Sequence, residues 1–154
     1  MSDVLTKFAS ITNPKFFQGG NAIFTIHNNL GEHLTFKIRK PKKKRPDDPE
    51  KPFFAFVSKR EGFVYMGIYN IETNVVTLTP KSPLYRTPDC KELKVLNWGM
   101  KCVAEGEEKL KEIREKGYNI HHEGRCCSCA KQLTTPESVA LGIGPECLKR
   151  KTGW

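Results

Sequence analysis

Apolar and polar side chains alternate along five short stretches in the first half of the chain. A period of two is typical of β-strands that bury one face. The pattern predicts strands at residues 22–26, 34–39, 53–59, 63–68 and 75–79. Because most of the connections between them are short, the sequence predicts an antiparallel meander. Residues 1–20 contain apolar side chains without a clear period, so we expect an irregular arm or a short helix there.

A helical period follows a proline-rich connector at residues 80–88. Apolar residues keep a helical spacing between residues 93 and 113, Asp89 and Glu92 form a capping box, and Gly117 is suited to the end of a helix. This pattern predicts one long helix on one face of the sheet. Gly106 is the position at which this helix is expected to kink or to break into two.

The spacing of cysteines near the C-terminal end indicates a metal site. Cys126 and Cys129 form a C-x-x-C pair, whose two thiolates can reach one tetrahedral ion, and seventeen residues separate Cys129 from Cys147. Zn2+ in a closed structural site has four ligands. His122 is the expected fourth ligand, and His121 is the alternative.

The residues between the cysteines predict two short helices. A capping box at residues 134–137 starts a helix that ends before Gly142, and Pro145 starts a second helix with Cys147 in its first turn. A cysteine turn followed by a ligand at the start of a helix is typical of treble-clef-like fingers. The predicted fold is therefore α+β, with a five-stranded antiparallel sheet and one long helix at residues 1–118 and a treble-clef-like zinc module with a basic tail at residues 119–154.

Other uses of the cysteines agree less well with the sequence. A redox C-x-x-C pair opens a helix in a βαβ unit, and the pattern predicts no such unit. Six cysteines in 154 residues, without an apolar leader, do not indicate a secreted disulfide framework. Cys127 remains an alternative ligand in place of Cys126 or the histidine. Cys90 and Cys102 are expected to be small core residues.

Three segments around the cysteines form one ordered pattern. They are H-E-G-R-C at residues 122–126, L-T-T-P-E-S at residues 133–138 and G-I-G-P-E-C at residues 142–147. Together they resemble a small zinc-finger-like domain of unknown function that recurs in proteins of phages and of their bacterial hosts. Cys127 departs from the family pattern. The resemblance covers about the last thirty residues, and it implies a zinc-binding module of phage type but no reaction.

Positive charge is concentrated in one short segment of the chain. The net charge is +9, residues 37–45 carry +7, and the remaining residues before position 119 balance to zero. So dense a cluster favours a polyanionic partner, because phosphates that meet it release their counterions. The predicted binding residues are Lys37, Arg39, Lys40, Lys42, Lys43, Lys44 and Arg45, with a second basic group in the tail at Lys149, Arg150 and Lys151.

Aromatic residues are interleaved with this basic segment in the predicted sheet. Those residues are Phe36, Phe53, Phe54, Phe56, Phe63, Tyr65 and Tyr69. About half of them must face the core, since alternate positions of a strand lie on opposite faces. Tyr65 and Tyr69 share the parity opposite to their apolar neighbours. They are therefore predicted to form an exposed face on which unpaired bases stack.

These features predict a zinc-containing, nucleic-acid-binding accessory protein of phage type, with single-stranded DNA or RNA favoured. The alternative is a phage-encoded inhibitor that places the basic loop on an acidic surface of a host defence or polymerase protein. A nuclease-like enzyme has the least support, because the chain contains neither a Gly-rich phosphate loop nor an H-E-x-x-H motif. With no run of eighteen apolar residues, we expect a cytoplasmic protein rather than a membrane protein.

Overall fold

The computed structural model describes residues 9–49 and 51–150. Six strands of four to nine residues and one two-residue strand form a single antiparallel sheet. The strands are β1 (Ala9–Ser10), β2 (Asn21–His27), β3 (His33–Arg39), β4 (Phe53–Lys59), β5 (Gly62–Asn70), β6 (Val75–Leu78) and β7 (Asn119–His122). Their order across the sheet is β1-β7-β2-β3-β4-β5-β6. The predicted meander corresponds to β2 to β6, and the sheet extends beyond the predicted five strands.

The strand β7 is an element that the hydrophobic pattern did not reveal. It pairs with β2 from Phe24 opposite His122 to His27 opposite Asn119, and it pairs with β1 on its other side. Residues 119–122 are therefore part of the sheet. The predicted division of the chain between residues 118 and 119 precedes a sheet strand, so it does not separate the cysteine-bearing segment from the sheet.

Two helices stand where the sequence predicted one long helix. They are α1 (Lys91–Glu105) and α2 (Glu107–Glu115), and Gly106 lies between them with φ 106° and ψ −176°. This backbone conformation is essentially restricted to glycine, so the helix breaks at this residue. The two short helices predicted near the cysteines are confirmed as α3 (Pro136–Leu141) and α4 (Pro145–Arg150). None of the helices in the described ranges is long and apolar enough to cross a lipid bilayer.

The core lies between the sheet, α1 and a 3₁₀ helix at Pro14–Gln18. A Cβ atom at Gly99 of α1 would overlap the side chain of Ile26 in β2, so glycine lets the helix lie close to the sheet. We call this side of the sheet the inner face. Its fully buried side chains and those packed on it include Phe16, Phe17, Phe24, Phe36, Met66, Leu96 and Met100.

A β-bulge in β5 changes the alternation of side chains between the two faces. Ala55 pairs with Gly67, whereas Phe56 pairs with Tyr65. Met66 is therefore the extra residue, and the positions before and after it do not keep one common parity. The bulge separates the two tyrosines that the sequence placed together.

Tyr69 lies in the core and not on an exposed stacking face. Its side chain is 2% exposed, its ring centroid is 6.0 Å from that of Phe53, and its hydroxyl donates a hydrogen bond to Asn74 Oδ1 at 2.7 Å. The prediction that Tyr69 binds bases is wrong, because the bulge turns it inwards. Tyr65 precedes the bulge and remains half-buried on the opposite side of the sheet.

Replacement of Gly106 by alanine tests the break between α1 and α2. We expect Gly106→Ala to lower the free energy of unfolding by about 1–3 kcal/mol, because alanine is strained in this conformation. Lys101→Ala, on the exposed surface of α1, should change it by less than about 0.5 kcal/mol. Chemical denaturation measures both values. An increase in stability for Gly106→Ala would mean that α1 and α2 join into one helix in solution.

Candidate metal centre

Three cysteine sulfurs lie together in the segment that follows β7. The Sγ atoms of Cys126, Cys129 and Cys147 are all within 4.8 Å of one another. Three thiolates bound at about 2.3 Å to one tetrahedral ion would be roughly 3.8 Å apart. The cluster therefore fits a single metal ion, for which these three residues would be ligands.

A tight turn brings the sulfurs of Cys126 and Cys129 close together. An isolated antiparallel bridge between Arg125 and Gln132 closes the base of this turn, and the Cys126 amide donates to the Lys131 carbonyl at 2.8 Å. Ala130 has φ 66° and donates its amide to the Cys126 carbonyl at 2.9 Å. We call residues 126–130 the cysteine turn.

The helix α3 carries the chain from the cysteine turn to the third sulfur. The Thr135 hydroxyl accepts a hydrogen bond from the Ser138 amide and caps the start of α3. Gly142 ends the helix with φ 75°, and its carbonyl accepts a hydrogen bond from the Cys127 amide at 2.9 Å. The next helix, α4, then begins beside the cysteine turn and presents Cys147 in its first turn.

The backbone around Cys126 favours a thiolate at that position. Burial alone would raise the pKa of the Cys126 thiol, but hydrogen bonds from the backbone of Cys129, Gly144 and Ser128 outweigh burial and lower it. The pKa of Cys147 is raised by burial and by the neighbouring Cys129 and Cys126 thiols. A bound cation would lower the pKa of the three thiols, because its positive charge stabilises all three thiolates at once.

The structure does not bring His122 to the three sulfurs. Its Nδ1 accepts a hydrogen bond from the Gly124 amide at 3.0 Å, and its Nε2 donates to the Val139 carbonyl at 2.7 Å. The ring is 1% exposed and stacks on Phe16 at a centroid distance of 5.3 Å. Burial lowers the pKa of His122, although the bond to Val139 opposes this, so the neutral ring is favoured. His122 therefore has a structural role here in place of the predicted metal bond.

The two alternative ligands also lie elsewhere. The ring of His121 packs edge-on against His27 at 4.9 Å. The sulfur of Cys127 lies against Gly19 at the end of the 3₁₀ helix, since a Cβ atom at Gly19 would be 2.5 Å from it. Among the residues that the structure describes, no other His, Cys, Asp or Glu joins Cys126, Cys129 and Cys147.

The cysteine turn docks on the sheet beside the basic segment. The Asn21 amide donates to the Cys127 carbonyl at 2.6 Å, and the Asn21 side chain donates to the Ser128 carbonyl at 2.8 Å. Gly20, the residue before Asn21, accepts a hydrogen bond through its carbonyl from the Lys40 amide at 3.0 Å. Residues 40–45, which we call the basic loop, therefore leave the sheet next to the cysteine turn.

The basic residues predicted from the sequence are spread over β3, the basic loop and α4. Arg39 and Lys42 to Arg45 are exposed, and Lys37 and Lys40 are half-buried. The loop leads into a turn in which the Arg45 amide donates to Asp48 Oδ2 at 2.9 Å. Lys149 and Arg150 are exposed on α4, and Lys151 lies outside the described residues.

The face of the sheet opposite the helices carries aromatic rings beside a lysine. The rings of Phe54 and Phe56 in β4 both pack against Tyr65 in β5, with ring centroids 5.9 Å and 5.8 Å from it. The Lys37 ammonium lies over the rings of Phe56 and Phe63, at 5.3 Å and 4.6 Å from their centroids. We call these residues, together with Arg39, the outer face. The sequence pattern placed Phe54, Phe56 and Phe63 among the interleaved aromatics but favoured the two tyrosines as the exposed rings, although the alternation of F-A-F-V in β4 puts Phe54 and Phe56 on one face.

One comparison with known proteins gives a match, and it covers the cysteine-bearing segment. A family model described as "Family of unknown function (DUF6011)" matches residues 121–150. No curated protein and no solved structure gives a significant match to the chain. The match confirms a resemblance to a family of unknown function over this segment, which contains all three clustered cysteines. It carries no information about zinc, phage origin or a reaction.

Single cysteine substitutions test the composition of the cluster. We expect Cys126→Ser, Cys129→Ser and Cys147→Ser each to abolish stoichiometric metal binding, because each removes one of three thiolates. Cys127→Ser should retain the metal, since its sulfur faces Gly19. Elemental mass spectrometry of the purified variants measures metal content. Chelation of the wild-type protein should also lower its melting temperature. Equal metal loss in Cys127→Ser would contradict this assignment.

Proposed function

We propose that this protein binds single-stranded nucleic acid along the outer face of its sheet and that Zn2+ holds its C-terminal segment in place. The observation that carries the proposal is the group of aromatic rings, Phe54, Phe56 and Tyr65, beside the Lys37 ammonium on the face opposite the helices. A phage-type accessory protein, as the resemblance implies, is the setting that we propose for this activity.

The rings of the outer face suit stacking with unpaired bases. They are half-buried, which holds them in place, and Phe63 at their edge is 39% exposed. Every base has a π-face, whereas the faces of paired bases are covered by their neighbours in a duplex. A base that stacks on Phe56 takes the place of the Lys37 ammonium, which then lies beside the adjoining phosphate. These contacts therefore favour single strands over duplexes.

The charges near the outer face suit the phosphate backbone. Arg39 is exposed in β3, and the basic loop continues from the end of that strand. The loop leaves the sheet where Gly20 contacts Lys40, one residue from the contact between Asn21 and the cysteine turn. A strand that crosses the outer face towards this end of the sheet would meet the basic loop. Such contacts supply affinity without sequence preference.

Zinc is the metal that we propose for the cysteine cluster. Thiolate ligands in a tetrahedral arrangement suit Zn2+ better than Mg2+ or Ca2+, which prefer oxygen ligands. The segment after β7 is too short to build a large core of its own, so metal binding would stabilise its fold directly. The ion would keep α4, with Lys149 and Arg150, in a fixed position relative to the cysteine turn.

Substitution of the aromatic rings tests the stacking contact. We expect Phe56→Ala and Tyr65→Ala each to weaken the binding of a single-stranded oligonucleotide by about 1–3 kcal/mol, because each removes a stacking surface. Tyr65→Phe should bind like the wild type, since it keeps the ring and loses only the hydrogen bond to Thr79. Tyr118→Ala, an exposed aromatic residue beside Trp98, is the control. Fluorescence anisotropy measures the affinities, and equal binding by all four variants would contradict the proposal.

Replacement of the basic loop tests the phosphate contacts. If about five basic groups meet phosphates, the logarithm of affinity should fall with the logarithm of salt concentration at a slope of about −3.5 for single strands. Substitution of Lys42, Lys43, Lys44 and Arg45 by Gln should reduce this slope by about three. The matched control replaces four exposed helical lysines, namely Lys91, Lys94, Lys101 and Lys111. An unchanged slope in the loop variant, or no binding by the wild type at low salt, would sink the proposal.

The same variants separate nucleic acid from an acidic protein surface as the partner. An acidic protein would meet the charges of the basic loop, but it would not need bases to stack on the outer face. Loss of a complex in the loop variant, with full retention in Phe56→Ala, would therefore favour the inhibitor that the sequence analysis named as the alternative.

A further inference from the structure

We infer that the metal of the cysteine cluster takes its fourth ligand from solvent, and that this position accepts a small thiol or imidazole compound from outside the chain. The inference rests on the metal binding proposed above. It goes beyond that proposal, because it assigns to the cluster an exchangeable coordination position and the class of ligand that fits it.

The first support is the number of side chains that can reach the ion. A tetrahedral Zn2+ ion has four ligands, and the described residues supply three. All four histidines and all six cysteines of the sequence are among the described residues, and none of the others lies in the cluster. Asp3 and Glu50 are the only acidic residues outside the described ranges, so variants of both belong to the test of this inference.

The second support is the environment of His122, which is the nearest histidine before the cysteine turn in sequence. Both of its ring nitrogens have backbone partners, Gly124 and Val139, and its ring stacks on Phe16. To bind the ion, the ring would have to leave the core and abandon both hydrogen bonds. Because each buried polar group left without a partner costs about 1–3 kcal/mol, the histidine is held where it is.

The third support is the direction in which the cluster is open. Cys126 is 1% exposed and accepts hydrogen bonds from the amides of Ser128 and Gly144 on the protein side. Cys147 is half-buried, whereas Cys129 is exposed. The buried sulfur would anchor the ion, and the side next to Cys129 is the one that solvent can reach.

The chemistry of the ion defines the ligand. Zn2+ binds thiolate sulfur and imidazole nitrogen as readily as water, and the fourth position of a three-ligand site is normally filled by water or substrate. A compound small enough to approach past Cys129 would replace the water without breaking any bond between the ion and the protein. Mercaptoethanol and imidazole are suitable probes of these two classes.

X-ray absorption spectroscopy of the full chain loaded with Zn2+ tests the inference. We expect three sulfur neighbours at about 2.3 Å and one nitrogen or oxygen neighbour at about 2.0–2.1 Å. Added mercaptoethanol should convert this shell to four sulfurs, and added imidazole should introduce the outer scattering of an imidazole ring. His122→Gln, His121→Gln and Cys127→Ser should leave the starting shell unchanged, as should Asp3→Asn and Glu50→Gln.

Three results would overturn the inference. The first is imidazole scattering in the untreated wild-type protein, which stays informative even if His122→Gln fails to fold. The second is a shell of four sulfurs without added thiol. The third is a changed shell in Asp3→Asn or Glu50→Gln. If the chain takes up no Zn2+, the proposed zinc binding is also wrong. If Zn2+ binds but all four of its ligands come from the protein, only the exchangeable position is wrong. The salt dependence of oligonucleotide binding tests the proposed nucleic-acid interface, and its outcome does not depend on either result for zinc.

Discussion

The buried ring of His122 joins the sheet to the segment that carries the cysteines. It ends β7, stacks on Phe16 of the 3₁₀ helix, accepts a hydrogen bond from Gly124 and donates one to Val139 of α3. Only the neutral ring with its proton on Nε2 can make both bonds. Because the cysteine turn begins two residues after Gly124, this side chain helps to fix where the cysteine cluster lies relative to the sheet.

Residues 19–21 also help to position the segment that carries the cysteines. A Cβ atom at Gly19 would overlap Cys127, and the Gly20 carbonyl accepts a hydrogen bond from the Lys40 amide. Asn21 donates hydrogen bonds to two carbonyls of the cysteine turn. Three consecutive residues thereby place the basic loop and the cysteine turn at the same end of β2. The cluster and the charged segment are adjacent although they are far apart in sequence.

Much of the fold follows from local patterns, and the bounds of β4 and of α3 agree with the residues predicted from them. The failures have physical causes. The four residues of β7 are too few to show a period, and Tyr69 lies beyond a bulge that no local pattern reveals. His122 was predicted as a ligand because it lies only four residues before Cys126 in the sequence. Sequence spacing carries no information about the direction of its ring. For Cys126, Cys129 and Cys147 the spacing was sufficient, because two tight turns determine where those sulfurs lie.

The position of β7 between β1 and β2 has a consequence for how the chain reaches its folded state. Phe24 emerges from the ribosome nearly one hundred residues before its partner His122. Until then one edge of β2 has no neighbouring strand, and exposed strand edges readily pair with other chains. The segment that gathers the sulfurs thus also completes the sheet, so synthesis that stops before residue 119 would leave an aggregation-prone product.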